Sequence, residues 1–277
     1  MLSIIIVHYD TVEELRECLR SLTDVPDFVE IIVVDNASPS SVGAAQQFAI
    51  EHPRMRWLTM ESNLGFGAAV GAGVAVSSGD KLLILNPDCV VLHADWNSFS
   101  AAIVDETIVG AALENASGES ELQGWFRPTL ISEFMRAYVQ YSIDHGRHWP
   151  ARVVRRLALE PGRLAWLTGA ACALTRRRWD ELGGFDPQFF LFFEDIDLCL
   201  RHVELGGDCV VRSDVRILHH RGVASRRHSD LAEHHYRESQ QIFWDRHGGW
   251  LSRTFMRLVN RVQRRRMRKR HHWRARS

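Results

Sequence analysis

Lys81-Leu82-Leu83-Ile84-Leu85-Asn86-Pro87-Asp88 is the stretch from which the fold can be read. An apolar run of strand length stops at a turn-forming Asn-Pro, and the turn delivers one carboxylate. The same unit recurs upstream. Leu2–Val7 runs into His8-Tyr9-Asp10, Glu30–Val34 into Asp35-Asn36-Ala37-Ser38, and Arg56–Met60 into Asn63-Leu64-Gly65. Between these runs, Asp10-Thr11-Val12-Glu13 reads as a capping box opening a helix to about Leu22, and Ala68–Ser77 reads as a small-residue helix. Strands alternating with helices indicate βαβ units, hence an α/β fold with a mainly parallel central sheet and helices on both faces. In such sheets ligands sit at the carboxyl ends of the strands, so the four polar clusters are expected to converge on one crevice.

Downstream the rhythm is lost from about Asn115 to Pro161, where Trp125, Phe126, Tyr138, Tyr141 and Trp149 stand among polar residues. It returns at Leu164–Thr175. A helix is expected near Arg176–Leu182, a break at Gly183-Gly184, a helix from about Glu194 to Leu205, and two short strands, Asp208–Arg212 and Val215–His219. Ser229 is placed to cap a helix through Arg246, and a basic helix continues from Trp250.

With 277 residues, 45% of them hydrophobic, the chain can bury a substantial core, which excludes a disordered protein. Five cysteines at unrelated spacings, with no C-x-x-C pair, argue against a zinc or redox centre and for a reduced, cytosolic protein. The first apolar run lacks a basic flank and ends at His8, so it reads as a strand and not a leader. No stretch approaches the ~20 apolar residues that span a bilayer. The net charge of zero hides an asymmetry: twelve of the 34 Lys and Arg follow Asp245, leaving 22 bases against 34 acids before it. Composition alone lets the basic tail meet anionic lipid, nucleic acid or an acidic partner, or remain solvated.

Several clusters can carry chemistry. Asp35, directly after its strand, can accept hydrogen bonds from a ribose or a base imide, or simply cap the segment that follows Ser38–Ser41. Asn63-Leu64-Gly65-Phe66-Gly67 opens a helix whose N-terminus suits a phosphate, though the same glycines also serve close helix–sheet packing. Asp88 can bind a hard divalent cation, and magnesium needs only one or two protein carboxylates. The alternative for Asp88 is a turn aspartate after proline. The most pointed signal is Gly183-Gly184-Phe185-Asp186-Pro187-Gln188-Phe189-Phe190-Leu191-Phe192-Phe193-Glu194-Asp195-Ile196-Asp197. Acids following an aromatic run invite burial, which raises a carboxylate pKa toward that of a general base. Asp197 is spaced for an i,i+4 pair with Arg201 and is given to structure, leaving Glu194 or Asp195 as the base. His219-His220 can complete a metal shell, and Arg221, Arg226 or Arg227 can meet phosphate.

Taken in order, SIIIVHYD, VVDNAS, NLGFGAAVGAG, LNPDC and TGAACALTRRRWDELGGFDPQFFLFFEDIDLCLR, with HHRGVAS behind them, cover about residues 2–225. This series resembles the family 2 glycosyltransferases of the GT-A fold, particularly the branch that includes rhamnosyltransferases of cell-surface polysaccharide assembly. The resemblance implies a GT-A domain over 1–228, with a nucleotide-sugar-binding half (1–114), an acceptor and catalytic half (115–228), and a basic helical extension (229–277). It implies that Asp35 contacts the base, that Asp88 binds Mg²⁺ or Mn²⁺ and diphosphate, that His219 is a metal or phosphate ligand, and that Asp195, beside Glu194, deprotonates the acceptor. Val7, Tyr9, Asn36, Asn63, Gly65, Asn86 and Pro87 would line the nucleotide-sugar pocket, with Trp166, Gly169 and Ala170 on the acceptor side. The implied reaction is inverting transfer of a sugar, rhamnose in that branch, from a dTDP- or UDP-linked donor to a glycan or polyprenyl-linked acceptor. No nucleic-acid partner is expected, and the tail would touch the inner face of the membrane. Two positions depart from the family pattern: Asn86-Pro87-Asp88 stands where Asp-x-Asp is frequent, and His8-Tyr9 where Asn-Tyr is. The competing readings are a nicotinamide-dependent oxidoreductase, drawn from Gly65-x-Gly67 and Asp88 but with Gly71 one residue too far, and a catalytically silent nucleotide-sugar binder.

Overall fold

Strands β1 (Leu2–His8), β2 (Val29–Asp35), β3 (Met55–Thr59) and β4 (Lys81–Leu85) lie parallel in the order β3-β2-β1-β4. The structure is a computed structural model describing residues 1–41, 43–52, 54–144, 164–220 and 229–274. The linking helices are α1 (Val12–Ser21), α2 (Ala44–Glu51) and α3 (Phe66–Val76). The strands are apolar on both faces because both are covered. On β1, Ile4 and Ile6 enter one buried cluster, while Ile5 and Val7 enter the other. Gly73 on α3 lets that helix close on the sheet, since a Cβ there would sit 2.6 Å from Ile5 Cγ2.

The second half adds β5 (Cys89–Ala94), α4 (Trp96–Ala102), β6 (Thr107–Glu114), β7 (Gly124–Trp125), α5 (Leu130–Asp144), β8 (Trp166–Leu167) and β9 (Ala171–Thr175). These are followed by α6 (Arg176–Leu182), α7 (Glu194–Glu204), β10 (Asp208–His219), α8 (Ser229–His247) and α9 (Trp250–Arg274). The main sheet runs β3-β2-β1-β4-β9-β6-β10-β5, and β7 pairs with β8 apart from it. Two antiparallel insertions position the polar strand ends. β9 sits between β4 and β6, and β5 returns along the edge beside β10.

Several expectations need correction. The two strands expected over 208–219 are one, because a register shift between Arg212 and Arg216 absorbs the polar interruption without ending the pairing to β6. The capping box is not formed: Thr11 makes no side-chain cap, and its hydroxyl instead meets His8 Nδ1 at 2.9 Å. The irregular excursion contains a regular helix, α5. Trp149 and the phosphate-binding candidates Arg221, Arg226 and Arg227 lie outside the described residues.

Candidate active site

Strand pairing carries the two key carboxylates toward each other. The antiparallel match of Leu85 with Ala171 sets Gly169-Ala170 beside the turn after β4. There Asn86 N–H donates to Ala170 O at 2.9 Å. The neighbouring Gly169 N–H donates to Asp195 Oδ2 at 2.7 Å. One dipeptide thus tethers both the Asp88 turn and the first turn of α7. On the other side, pairing of Cys89 with His219 brings the imidazole over Asp88, with His219 Nε2 3.5 Å from Asp88 Oδ1.

These groups line a cavity of about 480 Å³, within the size range of small-molecule sites. Val7, Tyr9, Asn36, Asn63, Gly65, Asn86, Pro87, Asp88, Trp166, Gly169, Ala170, Glu194, Asp195 and His219 all line it. Asp35 does not. It is buried, and its Oδ1 accepts the Ser38 N–H at 2.8 Å, a local turn and not a cap on α2, whose N-cap is Gly43. Its neighbour Asn36 reaches the cavity instead, bonding Asn63 Oδ1 at 2.9 Å and the Gly65 carbonyl at 3.2 Å.

Gly65 has φ +90°, and a Cβ there would lie 2.4 Å from the Phe190 carbonyl oxygen. That carbonyl accepts the Phe66 N–H at 2.8 Å, so the turn before α3 is joined to the aromatic segment before α7. Phe192 and Phe193 both adopt left-handed φ, at 70° and 71°. Bulky residues in that region cost about 1–3 kcal/mol each and persist only where packing over-determines them. Here α8 does so: Phe193 packs on Phe243 at 5.2 Å, Phe192 on Tyr236 at 5.6 Å, and Ser239 Oγ donates to Leu191 O at 2.8 Å. The held backbone turns Glu194 and Asp195 into the cavity.

Burial pushes the Asp195 carboxyl up to about 6, against the lowering by the Gly169 and Ile196 N–H groups. Burial and the adjacent Asp195 raise Glu194 well above the usual carboxylate range, and Glu194 Oε2 has no hydrogen-bond partner among the described residues. Asp197 behaves oppositely. Fully buried, it accepts from Arg201 Nε at 2.9 Å, Arg246 Nη1 at 2.9 Å and His247 Nε2 at 2.8 Å, and these bonds hold its carboxyl low despite burial. The structural role expected of it is what it has, with two partners from α8 that its spacing to Arg201 did not announce.

Asp88, Cys89 and His219 offer ligand atoms within 4.8 Å of one another. Asp88 and His219 fit a divalent cation such as magnesium or manganese, which prefers oxygen and accepts imidazole. Cys89 does not fit: burial raises its thiol well above the ordinary value, and Sγ points to Ala170 O at 3.4 Å. His219 Nδ1 faces Glu121 Oε2 at 3.1 Å, the outer carboxylate that orients many metal-binding histidines. Burial alone would lower the His219 pKa, but Asp88 and Glu121 lift it to about 9. His220 turns away toward Glu17, at 3.7 Å.

Sequence reasoning missed one wall of the cavity. Glu133, Arg136 and Gln140 from α5, and His235 and Tyr236 from α8, line it as well. Their i, i+3, i+7 spacing on α5 was the available signal, obscured by the aromatics between them.

The profile of glycosyl transferase family 2 matches residues 3–163, more than half of the chain. The chain belongs to glycosyl transferase family 2. Among curated relatives, the N-acetylglucosaminyl-diphospho-decaprenol L-rhamnosyltransferase of Mycobacterium tuberculosis is 29% identical over 281 residues, spanning 90% of this chain and 86% of that protein. The O-antigen biosynthesis protein RfbC of Myxococcus xanthus is 26% identical over 84% of this chain and 18% of its own length. The fold is GT-A. The mannosyltransferase PcManGT of Pyrobaculum calidifontis, solved with GDP-Man and Mn²⁺, superposes with a TM-score of 0.60 at 16% identity, over 94% of this chain and 70% of that one. GalNAc-T7, solved with UDP, GalNAc and Mn²⁺, gives 0.58 at 16% identity over 79% of this chain and 43% of that one. The family 2 chain is therefore a glycosyltransferase, and this membership replaces the nicotinamide-dependent reading of Gly65-x-Gly67.

Proposed function

We propose that this transferase inverts the anomeric centre as it moves a sugar, with rhamnose as the first candidate, from a dTDP- or UDP-linked donor to a polyprenyl-linked glycan acceptor at the cytoplasmic face of a membrane. The observation that carries this reading is that Asp88 and Asp195 line one cavity and hang on one dipeptide, Gly169-Ala170. The named activity of the Mycobacterium tuberculosis relative supports the choice of sugar and of lipid-linked acceptor.

Asp195 acts as the general base. A carboxyl raised to about 6 is mostly ionised at neutral pH yet more basic than a solvated aspartate, which suits removal of a hydroxyl proton. The Gly169 N–H on Oδ2 and the Ile196 N–H on Oδ1 fix the orientation of the carboxylate, each oxygen keeping further lone-pair capacity for a substrate proton. Glu194, with no partner for Oε2, is placed to receive a sugar hydroxyl. Asp88 and His219 would hold Mg²⁺ or Mn²⁺, which when bound offsets the charge of the departing diphosphate. Asn36, Asn63 and the Gly65 turn shape the nucleotide-sugar end, and Trp166, whose buried Nε1 has no partner among the described residues, faces the acceptor. Residues 1–228 supply this machinery by their motifs, with α8 closing its wall.

The test is transfer from dTDP-rhamnose to a short-chain polyprenyl-diphosphate N-acetylglucosamine, with the product anomer read by NMR. Product of inverted configuration, lost on EDTA treatment and restored by Mn²⁺, is expected. Retained configuration, or full activity in EDTA, overturns the inverting metal-dependent reading.

A further inference from the structure

Helix α5 packs Val139 and Leu130 on the core but also carries a second apolar stripe that it leaves exposed. A helix of a soluble domain ordinarily buries its apolar stripe and shows its polar face to water. On α5 the charged and polar side, Glu133, Arg136 and Gln140, lines the cavity. Ile131, Phe134, Met135 and Tyr138, spaced i, i+3, i+4 and i+7, form the opposite stripe and are exposed, Ile131 by 75% and Phe134 by 76%. Contiguous exposed apolar residues of this kind mark an interaction surface.

α9 repeats the pattern. Leu251, Phe255, Leu258 and Val262, at i, i+4, i+7 and i+11, are exposed, while Met256 and Asn260 on the other side are buried against the protein. α9 runs antiparallel to α8, with Arg257 bonded to Asp245 at 3.0 Å and Asn260 to Gln241 at 3.2 Å. The direction of that hairpin carries the last turns of α9 back toward the first turns of α8, where Leu231 and Ala232 line the cavity. Those last turns hold the run Arg264-Arg265-Arg266-Met267-Arg268-Lys269-Arg270 in a tail with no acid after Asp245. Two exposed apolar stripes, one of them on a helix that lines the cavity, thus accompany a tail whose sequence carries one sign of charge.

We infer that the outer stripe of α5 and the basic amphipathic helix α9 form one docking surface for an anionic lipid bilayer, holding the cavity entrance at the headgroup level. The occupant is set by charge: the body of the chain is acidic, whereas the sequence after Asp245, which includes α9, has twelve Lys and Arg and no acid. That is the composition of an interfacial helix, whose binding adds apolar burial to attraction for anionic headgroups. No helix of the described residues is long and apolar enough to cross a membrane, so contact would be peripheral. The inference rests on the lipid-linked acceptor for its purpose, because docking this wall presents Arg136 and Trp166 to a substrate embedded in the bilayer.

Flotation of the full chain with vesicles of phosphatidylcholine, with and without phosphatidylglycerol, tests it without turnover. Wild type is expected to float with the anionic vesicles and to be released by high salt. The Phe134→Asp/Tyr138→Asp variant, and separately Leu251→Asp/Leu258→Asp, should each bind about tenfold or more weakly. Both should keep the wild-type melting temperature and wild-type transfer to a soluble acceptor. Variants that float as wild type does, or a wild type indifferent to phosphatidylglycerol, overturn the proposal. So does a wild type that elutes as a dimer and becomes monomeric in the α5 variant, since the stripe would then belong to a second copy. If wild type floats but transfers no sugar to a polyprenyl acceptor, the substrate reading fails and the docking surface stands.

Discussion

Two sides of one helical turn teach most about this enzyme. Asp195 and Asp197 are two residues apart at the start of α7, about 200° apart around the axis, and they meet opposite surroundings. Asp197 is closed in by Arg201, Arg246 and His247, so its charge is compensated and its carboxyl held low. Asp195 receives only main-chain N–H groups, and burial lifts it to about 6. Carboxylates of the same chemistry are set apart by which of them a cation reaches: Asp197 ties α7 to α8, and Asp195 is left with the environment that suits the general-base role proposed for it.

The largest effect separating the two is expected from Asp195→Asn, which should reduce transfer by on the order of 10³-fold. Donor binding by calorimetry should stay near the wild-type value, and turnover close to wild type would remove Asp195 from the mechanism. Asp197→Ala should act on stability instead. It leaves two arginines and a histidine without their shared acceptor, and loss of a buried partner costs about 3–5 kcal/mol. Urea unfolding measures this, and a loss under about 1 kcal/mol would mean that the cluster does not bind α8 to α7.

The pH profile sharpens the contrast further. Asp195 works when ionised, so the transfer rate should fall about tenfold per unit as pH drops below about 6. A flat profile down to pH 5 would deny it the role of base. The smallest effect is on melting temperature. A carboxyl whose folded pKa exceeds its unfolded value near 3.8 favours the folded state below that value and loses the advantage as pH rises through about 6. Asp195→Asn should therefore melt a few degrees above wild type at pH 8 and level with it near pH 4. Equal melting at both pH values would show that the burial of Asp195 costs the fold nothing.

Legibility in the sequence followed the same divide between local and distant causes. β4 and α6 are found at the residues expected because their limits are local: Asn-Pro ends one and Gly183-Gly184 the other. The crevice was legible because each parallel strand ends in its own polar cluster. What escaped was set by neighbours far along the chain. The Ser213-Asp214 interruption suggested two strands, but β6 pairs with β10 on both sides of it, up to Arg212 and again from Arg216. For Asp35 the sequence did not announce that Oδ1 would accept the Ser38 amide. On α5 the polar spacing of Glu133, Arg136 and Gln140 was the one signal of the site, and the exposed apolar residues between them masked it. The partners of Asp197 on α8 lie 49 and 50 residues away, beyond any spacing rule.

The bond from Phe66 N–H to Phe190 O gives the donor and the base a shared mechanical footing. Phe66 begins α3, where a phosphate is proposed to sit, and Phe190 lies four residues before Glu194. A ligand that pulls on the turn before α3 pulls equally on the strained aromatic stretch that aims Asp195. A displacement at one end of the cavity would thus be handed to the other through a single amide.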